Sequence, residues 1–378
     1  MLYEGYAAMI RVLQCVNNMH RAGLETMLMN YYRNIDRSRV QFDFLTHRPF
    51  KSDYDDEIES LGGKVYYAPR LMPQNYHAYF SFMKKFYAEH PEYKIIHSHI
   101  DSMSYIPLLA AKRADVPVRI AHSHNTGIDR DLKYPLKQYF RHKLDKVTTH
   151  RFACGEEAGK FLFKGKDFTV IFNAVDATQF LYDESLRLRK REELGISDRL
   201  VIGHVGRMSY QKNHDFLLRL FAELLKVKPD ALLVLVGTGE KEDELKKKVV
   251  ELNIDASVRF LGNRSDVNEL YQIMDIFVLP SHFEGIPLVG VEAQFAGLPC
   301  LFSQGVPKEV CFSDSCRFRG LSEPMSDWVN DVLELTAKVN RNAAITDSPY
   351  DIKNTVGTLQ SFYENLAESE RFFVNECN

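Results

Sequence analysis

The sequence predicts an α/β protein made of two doubly wound domains, each built on a parallel sheet. The chain has 378 residues, which is the length of two ordinary domains. Short apolar segments alternate with longer amphipathic ones, the pattern of βαβ units, until a charged stretch at 176–198, and the alternation restarts at Leu200. We expect an N-terminal domain over 1–175, a C-terminal domain over 176–350, and a last helix over 351–378 that packs toward the N-terminal domain.

The candidate strands are short and apolar, and the candidate helices carry apolar residues on one face. In the first domain the strands are 10–16, 40–45, 64–67, 95–97, 118–121, 151–153 and 169–171, and the helix-like segments are 24–32, 55–61, 76–90 and 103–114. In the second domain the strands are 200–205, 232–236, 258–260, 276–279 and 299–301, with a helix at 213–227 that Asn213 is expected to N-cap. Ligands should bind at the carboxyl ends of the strands.

Composition excludes several classes of protein. Charged residues make up 26% of the chain and the formal net charge is −3, so no general basic field attracts nucleic acid. The six cysteines are scattered without a C-x-x-C pair, which indicates reduced, buried thiols in a cytosolic protein. No run approaches 18 apolar residues, and residues 1–8 lack the features of a signal peptide. We therefore expect a cytoplasmic chain. The first eight residues are hypothesised to be a tag-like or misassigned extension.

The loop after strand 200–205 carries two cations beside a glycine. Gly206 and Arg207 end the strand, and Lys212 lies five residues after Arg207, just before the helix. Glycine lets a ligand approach the backbone, and Arg and Lys beside a helix N-terminus suit a diphosphate. A solvated loop is the alternative interpretation. Another glycine-rich turn begins at Gly237, but it lacks the full G-x-G-x-x-G pattern of a dinucleotide site.

Two carboxylates flank the expected start of a helix after strand 276–279. Glu284 lies in the loop, and Glu292 lies about one turn inside a helix that should begin near Leu288 with Pro287 in its first turn. The positive end of the helix dipole suits a diphosphate, which leaves Glu292 for a ribose and Glu284 for a sugar. Glu292 has apolar neighbours and therefore needs a partner. The alternative is one capping carboxylate and one solvated helix residue.

These segments resemble a known family. The stretch Phe283-Glu284-Gly285-Ile286-Pro287 through Glu292-Ala293, ending Gly297-Leu298-Pro299, resembles the signature of glycosyltransferase family 4, which has two glutamates with seven residues between them. Gly206-Arg207 with Gln211-Lys212-Asn213 resembles its phosphate-binding segment, and Asn173-Ala174-Val175-Asp176 its Asn-Gly-Val-Asp segment. The resemblance covers nearly the whole chain. It implies the GT-B fold, in which two Rossmann-like domains face each other across a cleft, with a retaining reaction and no metal cofactor.

The resemblance also implies a role for each matching residue. Arg207 and Lys212 would bind the donor phosphates, Glu292 the ribose and Glu284 the transferred sugar. Further residues expected to contact the donor are Gly23, Gly206, Gly237, Gly285, Ile286, Leu288 and Val289. The expected catalytic residues are His124, Glu284, Arg207 and Lys212.

In the first domain, one glycine and two H-x-H pairs are candidate site residues. The family usually has two glycines where this chain has Ala22-Gly23, so Gly23 is the expected point of close backbone approach. His97-Ser98-His99 and His122-Ser123-His124 each close a strand and are expected to point into the cleft. Such pairs can bind a metal, but no completing carboxylates are evident, and we expect none. The family position matching His124 lies by the transferred sugar, so the other three histidines are expected to be structural or acceptor-side.

Two polar segments have a possible role outside the donor site. Asp53-Tyr54-Asp55 has the D-x-D form of metal-dependent transferases, but N-capping and solvation explain it better. Residues 133–144 mix basic and aromatic side chains, which is typical of a helix on a membrane surface, and a solvated helix face is the alternative. The aromatic segment 76–80 with Lys84-Lys85 is expected to add to that surface.

These features together predict a retaining glycosyltransferase. It would move a sugar from a nucleotide-sugar, by resemblance a UDP-sugar, to a glycan or lipid-linked acceptor in exopolysaccharide, capsule or other polysaccharide biosynthesis, in the cytoplasm or at the inner face of the cytoplasmic membrane. No nucleophile is evident, which favours a front-face mechanism in which the protein positions and stabilises charge. Two alternatives remain open, a UDP-sugar epimerase of the same fold and a non-catalytic sugar-nucleotide-binding protein.

Overall fold

The computed structural model describes residues 9–127, 133–337, 341 and 348–375, with side chains described up to residue 369. The suggested tag-like extension, residues 1–8, lies outside the described residues. The chain divides into two compact units. Unit 1 combines the residues up to Ala174 with the segment from Ile352 onward, and unit 2 is Val175–Asp351. The limits expected from the sequence were 175 and 350.

Unit 1 contains a seven-stranded parallel sheet in the order β3-β2-β1-β4-β5-β6-β7. Its strands are β1 Ile10–Val16, β2 Val40–Thr46, β3 Val65–Tyr67, β4 Ile95–Ser98, β5 Val118–Ser123, β6 His150–Ala153 and β7 Thr169–Val170. Its first helices are α1 Gly23–Asn34, α2 Asp55–Ser60, α3 Tyr76–Glu89, α4 Tyr105–Arg113, α5 Tyr134–Lys143 and α6 Glu156–Phe163. The strand order reverses between β1 and β4, which makes that position the topological switch point.

Unit 2 contains a six-stranded parallel sheet in the order β10-β9-β8-β11-β12-β13. Its strands are β8 Val201–Val205, β9 Leu232–Val236, β10 Val258–Phe260, β11 Ile276–Leu279, β12 Cys300–Ser303 and β13 Cys316–Arg319. Its helices are α7 Glu184–Glu193, α8 His214–Leu225, α9 Glu242–Glu251, α10 Val267–Ile273, α11 Leu288–Phe295 and α12 Met325–Ala337. The switch point of this sheet lies between β8 and β11. The predicted pair of doubly wound α/β sheets is confirmed.

The last helix, α13 Ile352–Asn375, belongs to unit 1 and packs on α1, β1 and β2. Among its described side chains, the buried apolar ones are Ile352, Leu359 and Tyr363. The Tyr31 hydroxyl of α1 donates to the Phe172 carbonyl at 2.8 Å and lies 3.3 Å from the Thr355 hydroxyl of α13. Unit 1 is therefore assembled from two segments that are far apart in the sequence.

The strands of both sheets are apolar because the central ones are buried along their length. Every residue of β2, β8, β9, β11 and β12 is buried. Parallel strands with helices on both faces have no solvent side, so they show continuous rather than alternating hydrophobicity. The predicted strands consequently agree with the observed ones to within two residues at each end. Strand β13 was not predicted, because its four residues include two arginines and all four are half-buried at the sheet edge.

At two helix starts, the predicted role of the first residue is wrong. Asn213 precedes α8, but its side chain does not cap the helix. It adopts φ +53°, and its amide instead donates to the Pro280 carbonyl at 3.1 Å, which ties two loops together. Pro287 occupies the N-cap position of α11 in an extended conformation rather than the first turn.

The D-x-D segment is part of the fold rather than a solvated cap. Asp55 begins α2 and is buried, and it accepts hydrogen bonds from the Ser52 amide at 2.9 Å and the Tyr67 hydroxyl at 2.6 Å. Asp53 accepts from the Arg21 amide at 3.1 Å. The expected N-capping and solvation are therefore wrong for Asp55, whose carboxylate joins α2 to β3.

The aromatic rings at the start of α3 face the core of unit 1, contrary to their expected place on a membrane surface. Tyr79 is fully buried, and Tyr76 and Phe80 pack against the core of unit 1. In α5, Phe140 is buried against Tyr105, with ring centroids 5.1 Å apart. None of the described helices is long and apolar enough to cross a bilayer.

The five cysteines within the described residues are free thiols, as expected. Cys15, Cys154 and Cys300 are buried, whereas Cys311 and Cys316 are half-buried, so the expectation of burial is wrong for those two. Cys377 lies outside the described residues.

Candidate functional site

The candidate donor residues of unit 2 lie at the switch point of its sheet. The loop after β8 carries Gly206, Arg207 and Lys212, and the loop after β11 carries Glu284. Because β8 and β11 are neighbours whose following helices diverge, their loops border the crevice in which open α/β sheets bind ligands. Backbone bonds join the loops, with the His282 amide donating to the Gln211 carbonyl at 2.8 Å.

Close contacts within unit 2 require glycine at Gly237 and leave little space for a side chain at Gly206. Gly237 has φ +122°, and a Cβ there would lie 2.3 Å from the Gly206 carbonyl oxygen. A Cβ on Gly206 would lie 3.2 Å from His204 Nε2 and 3.3 Å from Lys212 Cε. The Gly206 amide donates to the Val236 carbonyl at 2.9 Å, so the turns after β8 and β9 are held together at this point.

Lys212 and Glu284 form an ion pair. The Lys212 ammonium lies 2.7 Å from Glu284 Oε1, and the two side chains are 15% and 7% exposed. Ser281 donates its hydroxyl to the same carboxylate at 2.7 Å, and Gln211 donates its amide at 3.2 Å. An ammonium has three N–H donors, so the ion pair leaves two for phosphate oxygens. The structure thus brings together two residues for which the sequence predicted separate roles.

Arg207 is exposed and is held by a carboxylate that the sequence did not indicate as a partner. Its guanidinium contacts Glu240 through Nε at 3.1 Å and a terminal nitrogen at 3.0 Å. The Arg207 side chain is 74% exposed, and ion pairs of this kind contribute about 0–1 kcal/mol. If Arg207 left Glu240 to bind a phosphate instead, the loss of this ion pair would therefore cost little free energy.

The first turn of α11 supplies backbone donors beside Glu284. Gly285, Ile286 and Leu288 are buried and Val289 is half-buried, so these residues offer main-chain atoms more than side chains. The first N–H groups of any helix have no intrahelical acceptor and carry a partial positive charge. The Glu284 amide donates to the Gly305 carbonyl at 2.9 Å, which fixes the loop that leads into the helix.

Glu292 has the partner that its apolar surroundings require. The Tyr271 hydroxyl of α10 donates to Glu292 Oε2 at 2.8 Å. Burial raises the pKa of Glu292 to about 7, although the Tyr271 hydrogen bond opposes that change. The Glu292 side chain is therefore buried, has a hydrogen-bond partner and holds its proton more tightly than an exposed glutamate.

Two buried histidines lie beneath the loop after β8. The His204 ring packs on His214 with centroids 4.4 Å apart, and His204 Nδ1 donates to the Val278 carbonyl at 2.8 Å. Burial lowers the pKa of His204 to about 4 and that of His214 to about 2, so both are uncharged near Lys212. Because the rings are uncharged, they do not repel the Lys212 ammonium.

In unit 1, Gly23 begins α1, directly after the loop that follows β1. A Cβ on Gly23 would meet no described atom within 4 Å. The fold of unit 1 itself therefore does not require glycine at this position. The expected close approach of a ligand to Gly23 stays a prediction.

The H-x-H pairs form one cluster, which we call the histidine cluster and which consists of His97, His99, His122 and His124. His97, His99 and His122 are buried and His124 is half-buried, and the expectation that both pairs point into the cleft stays a prediction. The side chains lie at the ends of the neighbouring strands β4 and β5, where their rings contact one another. Burial lowers the pKa of His124 to about 3 and the pKa values of the other three well below 6.5.

The nitrogen atoms of the cluster are close enough for a metal site but point at one another. Ligand atoms of His97, His99 and His122 lie within 4.8 Å of one another. His97 Nε2 and His122 Nδ1 are 3.1 Å apart while their ring centroids are 5.1 Å apart, so the contact lies nearly on the line between the rings. Metal ligation requires lone pairs that converge on a third point, whereas this arrangement is that of an N–H···N hydrogen bond.

Asp101 holds the backbone of His124. It adopts φ +46° after β4, and its carboxylate accepts from the His124 amide at 2.8 Å and from the Asn125 side chain at 2.8 Å. Burial raises the pKa of Asp101 to about 6. The sequence signal for Asp101 was an acidic residue directly after a strand. The sequence could not show that its partner, His124, follows the neighbouring strand.

Two family models match the chain. Residues 21–179 match the model described as Glycosyltransferase Family 4, and residues 187–313 match the model described as Glycosyl transferases group 1. Over 375 residues the chain is 35% identical to the putative glycosyltransferase EpsF of Bacillus subtilis (strain 168), which covers 95% of this chain and 98% of the relative. The chain belongs to glycosyltransferase family 4.

Other known proteins are similar to this glycosyltransferase. The Escherichia coli UDP-Gal:alpha-D-GlcNAc-diphosphoundecaprenol alpha-1,3-galactosyltransferase is 30% identical over 228 residues, 56% of this chain and 58% of that protein. The crystal structure of Anabaena Alr3699/HepE in complex with UDP-glucose matches with a TM-score of 0.76 and 20% identity, covering 95% of this chain and 99% of the other. The fold is GT-B, and the chain is an enzyme of the hexosyltransferase type.

Several residues that support the site of this glycosyltransferase were missed from the sequence. Glu240, Ser281 and Tyr271 each hold one of the predicted charged residues, and Gln211, which the family resemblance included, holds Glu284. Tyr210 is 63% exposed and stacks on His282, with centroids 4.4 Å apart at 19°. The predicted roles of the site residues in binding and catalysis stay predictions.

Proposed function

We propose that this glycosyltransferase transfers a sugar with retention from a UDP-sugar to a glycan or lipid-linked acceptor in polysaccharide biosynthesis. The observation that carries the proposal is the position of Arg207, Lys212 and the α11 N-terminus around the switch point of unit 2. A diphosphate needs cations and oriented N–H donors, and this position offers both.

Each half of the donor has a fitting counterpart in unit 2. The diphosphate matches the two cations and the first turn of α11, and the Glu292 carboxylate can accept hydrogen bonds from two hydroxyls of a ribose. Glu284 is held by Lys212, Ser281 and Gln211, and its carboxylate is proposed to accept a hydrogen bond from a hydroxyl of the transferred sugar. His124 of unit 1 is proposed as a contact of the transferred sugar on the basis of the family resemblance.

We propose a front-face reaction for this donor. As the bond from the sugar to the diphosphate breaks, negative charge grows on the leaving oxygen, and Arg207, Lys212 and the α11 N–H groups stabilise it. The acceptor hydroxyl attacks from the same face and passes its proton to that leaving oxygen. The protein supplies position and charge stabilisation, and no metal or enzymatic nucleophile takes part in the proposed step.

The names of related proteins support the choice of UDP. The Anabaena structure is described as a complex with UDP-glucose, and the E. coli relative is named for UDP-Gal and a diphosphoundecaprenol acceptor. The proposal of a lipid-linked acceptor rests on the second name. A membrane-associated acceptor would also give a use to α5, where Tyr139 is 54% exposed and the Lys143 ammonium lies 5.5 Å from its ring centre.

A thermal-shift screen of UDP-, GDP- and ADP-sugars tests the donor. The true donor should raise the melting temperature in proportion to ln(1 + [L]/Kd), and UDP-sugars should give the largest shift. NMR of the bound donor without acceptor then separates transfer from epimerisation, because an epimerase converts the donor by itself. A chain that binds none of the nucleotide-sugars, or that epimerises the donor without transfer to any acceptor, would contradict the proposal.

Vesicle flotation tests the proposed peripheral membrane contact. The full chain should float with vesicles that contain anionic phosphatidylglycerol and should not float with neutral phosphatidylcholine vesicles. Replacing Tyr139 with Ala and Lys143 with Glu should reduce flotation together, while Lys226→Glu on unit 2 serves as the charge-matched control. Equal flotation with both kinds of vesicle, or with neither, would contradict contact through this helix.

A further inference from the structure

Two chains of hydrogen bonds run through the histidine cluster, and both begin at the fully buried Gln14 of β1. In the first chain Gln14 Oε1 lies 2.8 Å from His99 Nε2, and His99 Nδ1 lies 3.0 Å from His124 Nε2. In the second chain Gln14 Nε2 lies 3.3 Å from the Tyr363 hydroxyl of α13, which lies 2.7 Å from His97 Nδ1. The second chain then continues from His97 to His122.

The Gln14 amide fixes the direction of every hydrogen bond in the first chain. Its oxygen can only accept, so His99 Nε2 carries the hydrogen and donates it. An uncharged imidazole has one N–H, so His99 Nδ1 accepts, and His124 Nε2 must donate to it. His124 Nδ1 is then a bare lone pair, and it has no hydrogen-bond partner in the part of the chain that the structure describes.

The donors and acceptors of the second chain can be assigned in the same way. The Gln14 amide donates to the Tyr363 hydroxyl, the hydroxyl donates to His97 Nδ1, and His97 Nε2 donates to His122 Nδ1. All four rings are therefore protonated on Nε2, which is the form that uncharged histidine prefers in water. The chain ends at His122 Nε2, which is buried and has no partner among the described residues. Both chains thus depend on one amide.

We propose that Gln14 is a positioning residue that holds His99, and through it His124, in the Nε2-protonated tautomer, so that His124 Nδ1 accepts a hydrogen bond from a hydroxyl of the transferred sugar. The assignment of His124 to the sugar rests on the proposed function. Asp101 fixes the His124 backbone, and the Gln14 chain fixes its ring, so the acceptor atom is set in both place and protonation. A sugar that lacks the matching hydroxyl would leave this acceptor unpaired, which gives the site selectivity.

Nitrogen-15 NMR of the histidine-labelled full chain at pH 7.5 tests the tautomer directly, with His124→Asn used to assign the signals. In the wild type, His124 Nδ1 should give the signal of an unprotonated imidazole nitrogen and Nε2 that of an N–H. Gln14→Met keeps the side-chain length but removes the acceptor, so both His124 signals should move toward intermediate values. Gln14→Glu keeps an acceptor for His99 and should preserve the wild-type pattern at His124.

Tyr363→Phe is the matched control. It interrupts only the second chain, so it should change the signals of His97 and His122 and leave those of His99 and His124 unchanged. With the donor found by thermal shift, Gln14→Met should raise the donor KM about tenfold, the loss of one well-placed hydrogen bond, whereas Tyr363→Phe should leave it unchanged.

A wild-type spectrum with the proton on His124 Nδ1 would overturn the proposal, and so would an unchanged His124 tautomer in Gln14→Met. The wild-type spectrum and that of Gln14→Glu decide the question if Gln14→Met does not fold. These readings need no substrate. If the protein has the expected tautomers but transfers no sugar from any nucleotide-sugar, that result would instead contradict the proposed function and leave the tautomer assignment in place.

Discussion

Lys212 is the residue whose interactions differ most from those that the sequence indicated. The sequence indicated a cation for phosphates, but could not show that the same ammonium also neutralises Glu284, 72 positions away along the chain. The partners Ser281 and Gln211 were equally hidden, because their contacts depend on how the loops after β8 and β11 meet. Residue types and spacing therefore indicated candidate charged groups, and the fold decided how they pair.

Replacing Lys212 with Ala should lower turnover about a hundredfold or more, because one stabilising contact to the departing charge is lost. It should also cost about 3 kcal/mol of folding stability, because the buried Glu284 loses its counter-charge. Steady-state kinetics and urea unfolding measure the two effects. The double variant Lys212→Met with Glu284→Gln should recover stability but not turnover, and the exposed pair of Lys226 with Glu223 supplies the control Lys226→Ala. Wild-type turnover in Lys212→Ala would contradict the assignment.

Glu292 should make the stability of unit 2 depend on pH. Burial raises its pKa from 4.5 to about 7, so the folded chain keeps a proton that the unfolded chain releases. Stability should therefore fall as the pH rises from about 4.5 to about 7, by an amount of the order of 1–3 kcal/mol, and then level off. Glu292→Gln should remove that slope.

Trp328 makes this prediction measurable. It is the only tryptophan in the sequence and is fully buried in α12, so its fluorescence reports the unfolding of unit 2. Glu25 of unit 1 has a similarly raised pKa of about 7, and Glu25→Gln should leave the tryptophan-detected slope unchanged. An equal pH slope in wild type and Glu292→Gln would show that Glu292 titrates at its ordinary value.

At the scale of elements, buried parallel strands and their following loops were the most predictable features. Their apolar runs are continuous, so strand limits could be placed closely, and glycines after strands marked the turns. The edge strand β13 was missed because its arginines pair with Asp331 of α12 across a long interval of sequence. The aromatic start of α3 was misplaced because sequence alone cannot distinguish a ring in the core from a ring at a membrane surface.

Substitutions at two glycines should separate effects on stability from effects on donor binding and turnover. Gly237→Ala should lower both stability and donor affinity, because the new Cβ would lie 2.3 Å from the Gly206 carbonyl in a backbone conformation that disfavours alanine. Gly23→Ala should leave stability unchanged or slightly higher, because space is free there and alanine favours the helix. If Gly23 approaches the donor, turnover should nevertheless fall. Full turnover in Gly23→Ala would contradict the predicted role of Gly23.

At the scale of the whole molecule, the two units should differ in their ability to fold alone. Val175–Asp351 is continuous, so this fragment should fold and give a buried Trp328 signal. A fragment ending at Ala174 lacks α13 and would expose the surface covered by Ile352, Leu359 and Tyr363, a loss of about 5 kcal/mol or more. It should fold only when a peptide of residues 352–378 is added, as followed by circular dichroism. Cooperative unfolding of the N-terminal fragment without the peptide would contradict this account.

The central claim, that unit 2 binds the diphosphate of a UDP-sugar through Arg207 and Lys212, is tested most directly by titration calorimetry with UDP. Arg207 is exposed, so Arg207→Ala should leave the fold intact. The account predicts that the wild type binds UDP, that Arg207→Ala binds it at least about tenfold more weakly, and that Lys226→Ala binds it as the wild type does. Equal UDP affinity in wild type and Arg207→Ala, or no UDP binding by the wild type, would contradict it.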